Sequence, residues 1–183
     1  MQYRTIPAAI LACALALPAT AQTVQVGGQP MFPSKTIVAN AVNSSDHTTL
    51  VGAVKAAGLA DTLSGRGPFT VFAPVNAAFA ALPAGTVDTL LKPENKGMLT
   101  KVLTYHVVAG SYDSARLRQL IKAGHGEATL KTVEGETLTL SMNGPTNLVV
   151  RDREGGVADI TIADVRQSNG VIHVIDRVLM PAA

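Results

Sequence analysis

The chain has 183 residues, 47% hydrophobic and 15% charged, which suffices to close one core and argues against disorder. With 15 Lys and Arg against 13 Asp and Glu the formal net charge is +2, and the sequence carries no basic cluster of the kind that nucleic-acid binders use. Trp is absent and only 3 Tyr and 4 Phe occur, so the core has to be aliphatic.

Residues 1–21 read as a secretory signal peptide. Arg4 supplies the positive start, residues 6–17 form an apolar run too short to span a bilayer, and Pro18 breaks it before Ala19-Thr20-Ala21, a small-x-small cleavage pattern. Cleavage after Ala21 removes Cys13, the one cysteine, so a mature chain without disulfide or thiol chemistry is expected. A lipoprotein reading would use Cys13, but Leu11 is bulky for a lipobox and the apolar run before Cys13 is very short. No second long apolar run follows, so the expected place is the periplasm or the extracellular medium, with no membrane span.

Residues 22–33 are rich in Gln, Gly and Pro and are expected to form a flexible lead-in to a domain over 34–181. Thr36 to Val42 predicts a helix through Ile37, Val38, Ala41 and Val42. Leu50, Val51, Val54 and Ala57 recur at helical spacing and Gly58 suits a stop. Ser64 to Gly67 is a turn, Phe69 to Phe72 a short strand, and Asn76 to Leu82 a helix that Asn76 is expected to cap. Pro93 fits the first turn of a helix with Met98, Leu99, Val102 and Leu103 inward. Ser114 is the expected cap of a helix bearing Leu117, Leu120 and Ile121.

The second half changes period. Leu138, Leu140 and Met142 alternate with polar residues, as a half-buried strand does. Leu148 to Val150 is another strand, Glu154-Gly155-Gly156 a turn, and Ile160 and Ile162 alternate again. Asn169-Gly170 signals a hairpin because both residues tolerate positive φ. The strand after it, Val171 to Ile175, is apolar on both faces and belongs in the core. Helices first and strands last predict an α+β fold.

Three segments together resemble the fasciclin domain family. Phe69-Thr70-Val71-Phe72-Ala73-Pro74-Val75-Asn76-Ala77-Ala78-Phe79 is similar to its first signature, Leu103 to Val108 with Tyr105-His106 to its central motif, and Ser168 to Pro181 to its closing strand. The resemblance covers about 34–181 and implies a wedge of two β-sheets with helices packed along one side. It also implies a role in cell adhesion or in binding an extracellular or cell-surface protein or glycan. The family's adhesive members carry an Asp-Ile pair before the Asn-Gly turn. Asp164-Val165 stands there in this chain, followed by the more polar Arg166 and Gln167.

The candidate binding residues are therefore Tyr105, His106, Asp164, Val165, Asn169 and Gly170. Each has a plainer reading. Tyr105 and His106 suit a half-buried pair whose polar tips bond backbone, where the resemblance implies an integrin-type contact in animal members. Asp164 suits a solvated strand end, the charged half of a contact site, or a pin for the Gln167–Gly170 turn. His173 is expected to be a neutral core histidine, and His47 and His125 to be solvated. The four histidines show no H-x-H or H-x-x-x-H spacing, so no metal or cofactor is expected. G-x-S-x-G, H-E-x-x-H and G-x-x-x-x-G-K-[ST] are absent, and Gly65-Arg66-Gly67 precedes a strand, too short for a phosphate loop. The sequence thus predicts a secreted, non-catalytic binding module, with a soluble carrier of a small apolar ligand as the alternative.

Overall fold

The computed structural model describes residues 23–182. The expected signal peptide and Cys13 lie outside the described residues. The expected flexible lead-in is corrected: β1 (Val24–Val26) and β2 (Gln29–Met31) pair antiparallel. Gly27 and Gly28, at φ 58° and 71°, supply the positive φ that a two-residue hairpin turn needs. Val26 and Met31 go into the core at 4% and 3% exposure, which anchors the ribbon.

A helical run follows, α1 (Ile37–Ala41), α2 (Thr48–Ala57) and α3 (Ala60–Ser64). The Thr36 hydroxyl accepts from the Ala39 N–H at 3.3 Å to start α1, and Gly58 in the left-handed region, φ 75°, ends α2 as expected. β3 (Phe69–Pro74) leads into α4 (Asn76–Ala80) and α5 (Thr86–Leu90). A 3-10 turn at Pro93–Asn95 precedes α6 (Lys96–Tyr105). Leu99, Val102 and Leu103 are buried along α6, but Met98 is 59% exposed. At 3.6 residues per turn it sits about 90° off the centre of that stripe, so the expected inward position is corrected.

β4 (Val107–Ala109) precedes α7 (Ser114–Ala123), whose cap is Asp113 and not Ser114: the Asp113 carboxylate accepts from Arg116 N–H at 2.9 Å. Five strands complete the chain, β5 (Glu127–Lys131), β6 (Thr137–Asn143), β7 (Asn147–Arg151), β8 (Val157–Gln167) and β9 (Gly170–Ile175). The strand order is β4-β3-β9-β8-β7-β6-β5, with β3 parallel to β9 and the other pairs antiparallel.

β8 is shared between two halves of this assembly. Val157 to Asp159 pair with β7, and the remainder pairs with β9 through two register shifts. Asp164 sits at the second shift with φ 61°, a left-handed conformation that Asp adopts more readily than most residues. β8 thus joins two sheets, one of β4, β3, β9 and its own far half, the other of its near half with β7, β6 and β5. Alternation then splits the core. Val71, Ala73, Ile172 and Val174 face a cluster formed with α1–α4 and α6, while Phe72 and Ile175 face a second cluster under α7 and β5–β8. β9 is therefore covered on both faces, as its sequence requires.

Candidate functional site

Tyr105 and His106 are completely interior, at 0% and 2% exposure. The Tyr105 hydroxyl donates to the Thr137 carbonyl and accepts from Arg153 N–H, both at 3.1 Å, and burial pushes its pKa up to about 12. His106 donates from Nδ1 to the Val102 carbonyl at 2.8 Å and accepts at Nε2 from Leu179 N–H at 2.9 Å. Burial lowers its pKa to about 4, which keeps the ring neutral. Tyr105 ties the end of α6 to β6 and to the turn after β7, His106 ties it to the segment after β9, and neither presents a polar atom to a partner, so a surface contact through them is corrected.

His173 fits its expected role. It is 0% exposed, its Nε2 donates to the Tyr112 carbonyl at 2.7 Å and its Nδ1 accepts from Asp164 N–H at 3.4 Å. Burial lowers its pKa, and the ring stacks on Phe72 at 5.7 Å between centroids. His47 departs from expectation: it is buried at 3% exposure, not solvated. Its Nδ1 lies 2.9 Å from Ser44 Oγ, its Nε2 has no partner of hydrogen-bonding geometry, and burial lowers its pKa. Within the polar run only Ser44 and His47 point inward, where the β1–β2 ribbon packs against them; Asn43, Ser45, Asp46 and Thr48 stay exposed. His125 is exposed as expected.

Three polar residues cap helices far from them in sequence. Asn76 Oδ1 accepts from Thr49 N–H at 3.0 Å and so caps α2, while its Nδ2 donates to the Ser45 carbonyl. The expected cap on its own helix is corrected, since α4 has no side-chain cap bond. Asp164 accepts from Ser114 N–H at 2.6 Å and Ser114 Oγ–H at 2.5 Å, which fixes the start of α7. It is neither a solvated strand end nor a pin for its own turn. Asn169 Oδ1 accepts from Ile37 N–H at 3.0 Å at the start of α1, and its Nδ2 donates to the carbonyls of Leu63 and Gly65. The hairpin lies where Asn169-Gly170 predicts, but Asn169 does not have positive φ. Its bonds, not its backbone freedom, explain it. Val165 is buried at 1% exposure.

Among the concave features of the described residues, two bear on the site. An open cleft of about 670 Å³ lies between segment 64–68 and the β8–β9 turn, and Asn169 and Gly170 are the expected site residues that reach it. Arg66, Arg166, Ser64, Ser111 and Ser168 also line it. The sequence marks Arg66 only as part of a turn and Arg166 only as a polar departure; the fold brings them together. The second feature is an apolar groove between α1 and α2, about 40 Å³, lined by Val38, Leu50, Val51, Val54, Leu103 and His106. Because both His106 nitrogens are committed, the ring offers the groove only its C–H edge. Among the described residues no group of three or more His, Cys, Asp or Glu is placed to hold a metal ion, and no helix is long and apolar enough to cross a membrane.

Comparison with known proteins gives a consistent picture. The model of the fasciclin domain matches residues 45–181. Protein sll1483 of Synechocystis is 50% identical over 148 residues, 80% of this chain and 73% of that protein. The immunogenic protein MPB70 of Mycobacterium bovis is 38% identical, covering 78% of this chain and 67% of its own length. The cell surface glycolipoprotein MPB83 of the same species is 39% identical over 68% of this chain and 49% of its own length. Among solved structures, a FAS1 domain pair from the insect cell adhesion molecule Fasciclin I superposes with a TM-score of 0.70 at 19% identity. That likeness covers 80% of this chain and 51% of the insect chain.

Proposed function

The chain belongs to the fasciclin domain family, and from that premise we propose that it is an exported, non-catalytic binding module. It acts at a cell surface or in the extracellular space and recognises a protein or glycan there. One observation carries the reading. Tyr105, His106 and His173 have their polar atoms committed to backbone partners, while Ser64, Arg66, Ser111, Arg166 and Ser168 hold exposed polar side chains around the open cleft. Such a cleft offers a partner donors and charge without offering a nucleophile next to a base. A MPB83-type surface protein and an adhesion molecule among the similar proteins support the same reading. The test is retention of the purified protein on surface and extracellular fractions of its host, against the same protein denatured. Specific retention is expected; equal or no retention overturns the reading.

Export rests on residues 1–21 acting as a signal peptide. The mature protein should then begin at Gln22 by amino-terminal sequencing, and a diacylglycerol adduct on Cys13 would overturn this.

The apolar groove supports a second reading, a carrier of a small apolar ligand. About 40 Å³ holds little more than one water, against roughly 300 Å³ or more for an ordinary ligand site, so α1 would have to swing outward. Native mass spectrometry of protein purified from its host decides it. A bound apolar molecule supports the carrier, and the apo mass alone removes it.

A further inference from the structure

Resting on the binding-module reading, we infer that the cleft between segment 64–68 and the β8–β9 turn binds an acidic saccharide, its carboxylate or sulfate held by Arg66 and Arg166. The floor of the cleft is bare backbone by necessity. A Cβ at Gly67 would overlap the Asn169 carbonyl oxygen, and one at Gly170 would overlap the Phe69 carbonyl oxygen. The same wall is braced by the three bonds of Asn169, to Ile37, Leu63 and Gly65, so the floor is rigid before any partner arrives.

The rim carries the chemistry. Arg66 is exposed, and the Arg166 side chain is 66% exposed with an ion pair to Asp113 at 3.1 Å. One carboxylate against two guanidinium groups leaves the rim cationic. A guanidinium fork matches a carboxylate or sulfate in two parallel bonds. Ser64, Ser111 and Ser168 add hydroxyls that both donate and accept, the pattern that sugar hydroxyls need. Among the described residues no aromatic ring lines the cleft, so a neutral sugar finds no stacking platform there and charge has to select the ligand. The volume of about 670 Å³ lies within the roughly 300–1,000 Å³ of small-ligand sites, enough for a few sugar units of a longer chain.

The test is calorimetric titration of the full chain with four probes: an oligogalacturonate, a sulfated oligosaccharide, a neutral dextran oligomer of equal length and an oligoglutamate. Inorganic sulfate is a fifth arm. Binding of one or both acidic saccharides and none of the neutral one is expected, and which of the two binds more tightly identifies carboxylate or sulfate as the anion. Joint substitution Arg66→Ala and Arg166→Ala should weaken binding by about ten-fold or more. Raising salt from about 50 to about 300 mM should weaken it several-fold. Lys122→Ala, on the exposed side of α7, should leave it unchanged, and thermal melts should show both variants folded.

Equal binding of dextran, tighter binding of oligoglutamate, sulfate binding as tightly as the saccharides, or full binding by the double variant would each overturn the inference. If none of the probes binds while the wild-type protein is still retained on host surface material, the saccharide assignment fails and the binding-module reading stands.

Discussion

The cluster under α7 and the cluster under α1–α4 and α6 share β3 and β9 but are finished differently. On the strand side Leu117, Leu138, Leu140, Val150, Ile175 and Leu179 are all at 0% exposure, and the buried tips of Tyr105 and His173 are bonded. The helical side contains the apolar groove, a void of about 20 Å³ beside His47, and the one buried side-chain nitrogen without a partner among the described residues. Long hydrogen-bonded strands fix their side chains in register. Five-residue helices such as α1 and α3 bring few contacts each and leave gaps where they meet. The unfilled volume on the helical side lies next to α1 and α2.

Matched truncations should expose the difference most strongly. Leu138→Ala should cost about 4–5 kcal/mol, because its surroundings are too fixed to collapse, whereas Leu50→Ala beside the groove should cost about 2–3 kcal/mol. Urea unfolding of both measures this, and equal losses would erase the distinction.

Acid should act next. The unfolded chain takes up protons on its histidines near pH 6.5, while folded His106 resists until about 4 because burial lowers its pKa. Stability from this group is therefore complete above about pH 6.5 and is lost as pH falls towards 4, by about 3 kcal/mol at the full shift. His173 and His47, also lowered by burial, add in the same direction. Denaturation midpoints from pH 7.5 to 4 should fall, and His106→Gln should flatten the fall more than His47→Gln does. An unchanged slope in His106→Gln would show that the ring is not the buried neutral group described.

A smaller effect concerns the lid of the strand side. Asp164→Ala removes both bonds to Ser114 and places a Cβ-bearing apolar residue at φ 61°, so a loss of about 2 kcal/mol is expected. Asp164→Asn keeps a capping oxygen and should lose about half as much. A melting temperature unchanged in Asp164→Ala would return this residue to the solvent. The smallest effect is on the helical side: His47→Leu removes the unpartnered nitrogen but strands the buried Ser44 hydroxyl, and these opposed changes should leave stability within about 1 kcal/mol of the original. His173→Leu strands the Tyr112 carbonyl and the Asp164 N–H and should cost clearly more in the same thermal assay.

The long elements were legible because they show a period, and the short α1, β3, α4 and β7 because they are compact apolar runs beside turn or capping residues. α2, α6 and α7 have ten residues each, β6 has seven, and β9 is apolar on both sides of His173. β1, β2 and β4 have three residues, and α3 and α5 have five, too few to repeat a pattern before they end. β5 alternates well but offers only Ala128 and Leu130 inward. For the site, the hairpin at Asn169-Gly170 and the burial of His173 were legible, while the burial of His47 was not, because nothing local to it announces the ribbon above.

By itself the sequence determined the aliphatic core, the change from helical to strand period and the two-faced burial of the last strand. Each follows from the spacing of apolar residues along a few neighbouring turns or pleats. Only the tertiary structure decided what the polar residues of the family-like segments do. Asn76, Asp164 and Asn169 bond helix starts that lie 27, 50 and 132 residues away, and Arg66 and Arg166 come to line one cleft although they are far apart in sequence. A hydrogen bond requires its partners to be about 3 Å apart in space, and separation along the chain does not encode that distance.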